Sequence, residues 1–271
     1  MHSAIFDELR AVDRKITENS TTVESPVNYQ RLSEKLERIH TKRLALRPVS
    51  MSDAWPLYQA TRNSLFNAGL RWEAPDDEAP VLERVEAITN ASRRGKLAAI
   101  SVVLKDTGEW VSLFRFQPYE GDEHIVELGI WTHHAFWQGG YSLELGQACV
   151  DAAFLFSNAS ALIGTSTPAN KASRRLMEMC GMTAGKAITR KSETQKDKDI
   201  PYLEYSITRE KWLKQERSEN FAQVPQLGSS PGKLDSPEQP VAVVYQPDDN
   251  FTHLMKRRTH ESSSPQTSAA A

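Results

Sequence analysis

Residues 125–144 read IVELGIWTHHAFWQGGYSLE, an apolar strand with one carboxylate, a Trp-Gln-Gly-Gly turn and the start of a helix. The backbone N–H groups at a helix start are unpaired and carry the positive end of the helix dipole. Glycines there let an anion approach the backbone closely. Gln138, Gly139, Gly140, Tyr141 and Ser142 therefore read either as a pyrophosphate cradle or as a plain turn. Side chains alternate along a strand. Ile125, Glu127, Gly129 and Trp131 should share one face, and Val126, Leu128 and Ile130 the other. Glu127 then projects beside Gly129, where a missing side chain leaves room. From the residues alone it reads as a solvated strand carboxylate.

Other motifs narrow the chemistry. No GxGxxG with a following acidic residue and no GxxxxGK[ST] occurs, so neither a dinucleotide fold nor a P-loop is supported. Gly140-Tyr141-Ser142-Leu143-Glu144 fails the serine-hydrolase elbow because Glu144 stands where the last glycine belongs. His133 and His134 are adjacent on a loop with no third ligand nearby, so no metal is expected. Cys149 and Cys180 have neither zinc spacing nor a disulfide framework, and read as reduced core thiols. Asn170 is placed to cap the helix that begins there.

Several elements must hold these residues. RLALRPV alternates as a strand. Ser50 with Asp53 resembles a capping box opening a helix that runs to about Asn67. A second helix is expected over roughly 80–94. KLAAISVVL and WVSLFRF flank the turn KDTGE and should form an antiparallel hairpin. After HIVELGIW comes a helix from about 142 to 157 with the stripe Leu145, Cys149, Ala152 and Phe156. ALIGTST is a strand, NKASRRLMEM a helix stopped by Gly181, and AGKAITR and YLEYSIT close the sequence of strands. The order β-α-α-β-β-β-α-β-α-β-β implies an α/β fold with a mixed sheet, not a doubly wound one.

The 271 residues carry 33 basic and 35 acidic side chains. That balance offers no basic footprint for nucleic acid. No apolar run approaches the roughly 20 residues that span a bilayer, and the N-terminus lacks a signal core. A cytoplasmic protein without a membrane partner is expected. Residues 1–40 read as a helical extension, with Ile5, Leu9, Val12 and Ile16 and then Leu32, Leu36 and Ile39 at helical spacing. Residues 41–214 hold the strand and core signals. Residues 215–271, rich in Ser, Pro, Gln, Glu and Lys, are expected to be mostly disordered; VAVVY at 241–245 and MKRR at 255–258 read as solvated tail, or else as a docking segment and a contact for an acidic partner.

The element order and four motifs resemble the GNAT superfamily of acetyl-CoA-dependent N-acetyltransferases, and more closely its ribosomal-protein N-terminal (alanine/serine) acetyltransferase branch. TKRLALRPVSMSDAWPLY is similar to that branch's opening T-x-R-L-x-L-R-P…D-A. ELGIW…FWQGGYSLE is similar to E-[IL]-G-Y-W…W-G-x-G-Y-A-x-E. NKASRRLMEMCGM is similar to N-x-x-S-x-x-[LV]-x-E-K-x-G-F, and SITREKW to the L-T-R-E-E-W ending. The likeness spans about residues 41–214. Aligning Gly140 on the invariant glycine of the phosphate loop puts Trp137 first and Ser142 last, while Gly139 replaces a frequent Lys.

The resemblance implies direct transfer of an acetyl group from acetyl-CoA, without a metal, to a protein N-terminus or a small-molecule amine. It implies that the strand backbone at Ile130, Trp131 and Thr132 meets the thioester and pantetheine. The loop Trp137 to Ser142 would hold the pyrophosphate, and Asn170 would contact the pantetheine arm. Glu127 would act as base, often through water, and Ser173 would protonate the departing thiolate. Met177 stands near the place of a tyrosine that many relatives use instead. The acidic stretches PDDE (75–78) and YEGDEH (119–124) lie where acceptors enter in this family, or are simply solvated loops. Monomer and homodimer both stay open, as does a non-catalytic acyl-CoA-binding module.

Overall fold

The computed structural model describes residues 25–67, 73–120, 122–193 and 198–215. The expected first helix, most of the linker after it, VAVVY, MKRR and the tail from 216 lie outside the described residues. The elements run α1 (Tyr29–Leu36), β1 (Leu44–Pro48), α2 (Ala54–Thr61), α3 (Ser64–Asn67), α4 (Ala79–Arg93), β2 (Ala98–Leu104), β3 (Trp110–Tyr119), β4 (Asp122–Thr132), α5 (Tyr141–Phe156), β5 (Ala161–Ser166), α6 (Lys171–Met179), β6 (Thr183–Lys191), β7 (Asp199–Thr208) and α7 (Arg209–Lys214).

One seven-stranded sheet carries the fold, in the order β1-β2-β3-β4-β5-β7-β6. Every neighbouring pair is antiparallel except β4 and β5. That single parallel pair needs a crossover, and α5 supplies it. The expected mixed α/β sheet is therefore present. Alternation along the strands feeds two cores. One face buries Leu44, Ile100, Phe114, Phe116 and Val126 against α5 and α6. The opposite face buries Ala99, Leu113 and Trp131 against Leu57 of α2 and Val81, Leu82 and Val85 of α4.

α1 belongs to the first of these cores. Asn28 caps it through its side chain, and Leu32 and Leu36 are fully buried. Each such burial stabilises the fold by about 1.5–3 kcal/mol relative to exposure. α1 covers a flank of α5 that would otherwise face water. With Trp212 of α7, whose ring lies 5.2 Å from that of Phe154, it buries α5 well beyond the expected stripe: Ala148, Val150, Asp151, Ala153 and Phe154 join Leu145, Cys149 and Ala152, while Phe156 is only half-buried. Asp151 is tolerated inside because it accepts from the Trp212 indole of α7 at 2.6 Å.

The helix expected to run to Asn67 breaks after Thr61. The Asn63 side chain accepts from the backbone of Leu65 at 3.0 Å, offering the chain a local alternative to continuing the helix. At its start, Asp53 does accept from the Ser50 backbone at 2.8 Å, and Arg47 braces the same carboxylate at 2.5 and 3.0 Å. No helix among the described residues is long and apolar enough to cross a membrane.

Candidate active site

β4 and β5 pair only as far as Leu128 and Gly164. β4 continues to Thr132, whereas β5 goes on alongside β7 through Thr165 and Ser166. From Gly129 onward the β5 side of β4 has no paired strand partner among the described residues. A wedge opens in the sheet there. Ile130, Trp131 and Thr132 line it along β4. The Trp131 ring turns into the α2/α4 core, while Thr132 is held by Ser112 at 3.3 Å and Ser142 at 3.4 Å.

The glycine turn lies just past the wedge. Gly139 (φ 84°) and Gly140 (φ 78°) are both left-handed, a conformation in which a side chain strains the backbone. Gly140 forms the N-cap of α5 without a side-chain cap. Trp137 is pinned at the turn by its indole N–H, which donates to the Thr132 carbonyl at 2.9 Å. The Gln138 side chain is exposed.

One cation sits against this turn, and sequence reasoning assigned it no role. Arg43, just before β1, donates from Nη1 to the Gly139 carbonyl at 2.7 Å and from Nε to Glu144 at 2.7 Å. Its guanidinium lies 4.0 Å from the centre of the Tyr141 ring. Its Nη2 lies 3.8 Å from where a Cβ on Gly140 would stand. Glu144 also accepts from Thr41 and from the Arg43 backbone at 2.8 Å. Partial burial alone would raise the Glu144 pKa. The hydrogen bonds from Thr41 and Arg43, with the guanidinium charge, outweigh burial and hold it below the usual carboxylate value.

Glu127 is buried on the α2/α4 face, as alternation required. It is not a solvated carboxylate. Arg190 of β6 pairs with it at 2.6 Å, and the two side chains expose only 10% and 15%. Gln117 of β3 donates to its other oxygen at 3.0 Å, and Thr165 of β5 reaches it at 3.4 Å. Beside them the Tyr119 hydroxyl donates to Glu204 of β7, and burial with that hydrogen bond pushes the phenol pKa up. Arg190 lies 6.0 Å from the Tyr119 ring. Gly129 faces the Arg115 side chain, which stacks over Trp131 at 4.5 Å. A polar band thus crosses β3, β4, β5, β7 and β6. Its visible signal was a polar residue on the same side of each strand, in RFQPY, ITRK and YLEYS.

On the other side of the wedge Asn170 caps α6, its side chain accepting from the Ser173 backbone at 3.0 Å. The Ser173 side chain is half-buried. Met177, one turn on, packs over Gly164. Both cysteines are reduced and buried. Burial raises the thiol of Cys180 to about 12 and that of Cys149 well above its ordinary value, so neither is a ready nucleophile. His133 and His134 stack on each other at 4.3 Å, and burial followed by the neighbouring imidazole lowers the His133 pKa. Among the described residues no group of three or more His, Cys, Asp or Glu could hold a metal ion. In the 75–78 stretch, which leads into α4, Asp76 and Asp77 are exposed, Glu78 is half-buried and Pro75 is buried.

The acetyltransferase (GNAT) domain family matches residues 43–183. The chain is a GNAT N-acetyltransferase. That segment contains Glu127, the glycine turn, Asn170 and Ser173, but not Arg190 or Glu204. Over 142 residues the chain is 22% identical to the uncharacterized N-acetyltransferase p20 of Bacillus licheniformis, covering 52% of this chain and 80% of that protein. Over 93 residues it is 33% identical to FsC-acetyl coenzyme A-N(2)-transacetylase of Aspergillus fumigatus, covering 34% of this chain and 40% of that protein. Among solved structures, a ribosomal L7/L12 alpha-N-protein acetyltransferase in complex with coenzyme A superposes with a TM-score of 0.53 at 16% identity, covering 62% of this chain and 95% of that one. The GNAT fold expected from the four motifs is thereby established.

The wedge and turn fit the arm of a coenzyme A thioester. The bare edge of β4 leaves backbone groups for a pantetheine amide. Two left-handed glycines and the α5 N-terminus suit a pyrophosphate. Arg43 sets its guanidinium against the Gly139 carbonyl of the same turn.

Proposed function

We propose that this GNAT domain transfers acetyl from acetyl-CoA directly to a primary amine, foremost the α-amine of a protein N-terminus. The observation that carries the reading is the parting of β4 from β5 after Leu128, one residue past Glu127. It leaves a buried carboxylate on one strand beside an opening lined by that strand's own backbone.

The co-substrate supplies an activated acetyl thioester, and the chain's own groups do the rest. Residues Trp137 to Ser142 hold the pyrophosphate, and Asn170 and the β4 edge align the arm. The backbone around Ile130 steadies the carbonyl oxygen as it gains charge. Glu127 takes a proton from the amine, directly or through water. Ser173, at the first turn of α6, returns one to the leaving sulfur. Holding both reactants in one cleft supplies much of the acceleration without any side-chain chemistry.

An α-amine has a pKa of about 7.7–8 and a lysine about 10.4. A single carboxylate base therefore suits the α-amine, which is partly neutral at pH 7. The solved relative named above for ribosomal L7/L12 supports the same class. A second reading, a small-molecule amine, draws support from the name of the Aspergillus transacetylase. The test is calorimetric titration with acetyl-CoA, followed by transfer assays on peptides with free N-termini and on small amines, comparing wild type with Glu127→Gln. Acetyl-CoA binding, and transfer that falls about 10²-fold or more in the variant, are expected. A protein that does not bind acetyl-CoA overturns the proposal.

A further inference from the structure

We infer that Arg190 determines acceptor specificity by neutralising Glu127, so that the site accepts an amine in its uncharged form and discriminates against a lysine ammonium. The inference rests on the acetyl-transfer reading and deepens it.

A bare buried carboxylate attracts any ammonium. Glu127 is not bare: Arg190 lies 2.6 Å from one oxygen, and Gln117 donates to the other at 3.0 Å. As a whole the pair is neutral. An amine that reaches Glu127, directly or through one water, arrives within a few ångströms of the guanidinium. A neutral amine gives one N–H to a remaining lone pair and loses nothing. An ammonium adds a second positive charge next to Arg190 in a poorly solvated cleft, where like charges interact strongly.

Arg115 is a further cation on the same face, beside Gly129. Glu204 is the other carboxylate of the band, and it accepts from the Tyr119 hydroxyl. Arg190 is itself held in place, its guanidinium over the Tyr119 ring at 6.0 Å. At pH 7 about one α-amine in ten is neutral, whereas only about one lysine in 10³ is. Arg190 thereby converts an acid–base difference between acceptors into selectivity. Its position, past the segment that matches the family, fits a residue that tunes the acceptor and not the shared coenzyme chemistry.

The experiment measures kcat/KM on the full chain at pH 7 for two peptides. One has a free N-terminus and no lysine; the other has a blocked N-terminus and one internal lysine. Wild type should prefer the first. Arg190→Gln should shrink that preference by about 10-fold or more, and Arg190→Lys, which keeps the charge, should hold it within about 3-fold. Arg190→Met fills the space over Tyr119 and serves as the charge-free variant if Gln does not fold. A merely structural role lowers both peptides by one common factor. An unchanged preference in an active Arg190→Gln or Arg190→Met protein overturns the inference alone. Wild-type protein that acetylates neither peptide overturns the transfer reading and the inference with it.

Discussion

Arg43 and Glu144 form a 2.7 Å ion pair that ties the entry of the first strand to the first turn of α5. The same guanidinium holds the Gly139 carbonyl at 2.7 Å. One arginine therefore braces the glycine turn from outside its own sequence, adding to the bonds that Trp137 and Ser142 of the loop make to Thr132. Arg43→Met should free the turn and remove a cation from beside it. Coenzyme A affinity is expected to fall about 10-fold, or about 1.4 kcal/mol, while a truncated acetyl-pantetheine that lacks the nucleotide loses much less. Isothermal titration of both ligands checks this; equal losses for the two would contradict it.

Glu144 also gives the fold a pH dependence whose sign is fixed. Its carboxyl is held below the usual range, so the folded chain favours the ionised form. The stabilisation is fully present above the unfolded value of about 4.3. It drains away as pH falls through the lower, folded-state value. Glu144→Gln removes the titrating group. The melting temperature of wild type should exceed that of the variant above pH 5, and the gap should close toward pH 3. A gap that stays constant over this range would show that the pair is not what titrates.

Much of this was legible in the sequence because it depends on local rules. The Asn170 cap, the Gly181 stop and the side of β4 on which Glu127 lies all follow from spacing and from strand alternation. The partners of Glu127 were not legible. Gln117, Thr165 and Arg190 lie 10, 38 and 63 positions away, and only the strand order of the sheet brings them to one place. Arg43 was hidden for the same reason: it sits inside a quoted motif, yet its target is 96 residues later. The extra burial of α5 needed α1, whose periodicity was plain but whose docking site was not, and Trp212 from the far end of the domain. Local pattern gives elements and faces, whereas long-range pairing decides which charges meet.

Ser173 offers a separation of chemistry from structure. The capping bond to Asn170 uses the Ser173 backbone N–H, not the hydroxyl. Ser173→Ala therefore keeps the cap and removes only the proposed proton donor. Coenzyme A affinity and the melting temperature should stay near wild type, while kcat falls by about 10–100-fold. Steady-state kinetics with a peptide acceptor decides the matter, and an unchanged kcat would assign the proton to water.

The spacing between the two helices that flank the wedge rests on Gly146. A Cβ there would stand 2.9 Å from the Cys180 sulfur and 3.6 Å from Leu176. Helix propensity argues the other way, because Ala is favoured over Gly by about 1 kcal/mol. Overpacking a closed interface costs about 1–3 kcal/mol, and Cys180 is buried on a short side chain with little freedom to move. The steric effect should win. Gly146→Ala is expected to lower the melting temperature by a few degrees, about 2–4 °C for each kcal/mol in a protein of this size. Pushing α6 off α5 also moves Ser173 relative to the glycine turn, so transfer should slow beyond what the loss of stability explains. Adding Cys180→Ala empties the contested space, and the double variant should recover both properties. Differential scanning calorimetry of the two single variants and the double gives the coupling directly; a Gly146→Ala protein that melts higher than wild type would mean that the helices can part without cost.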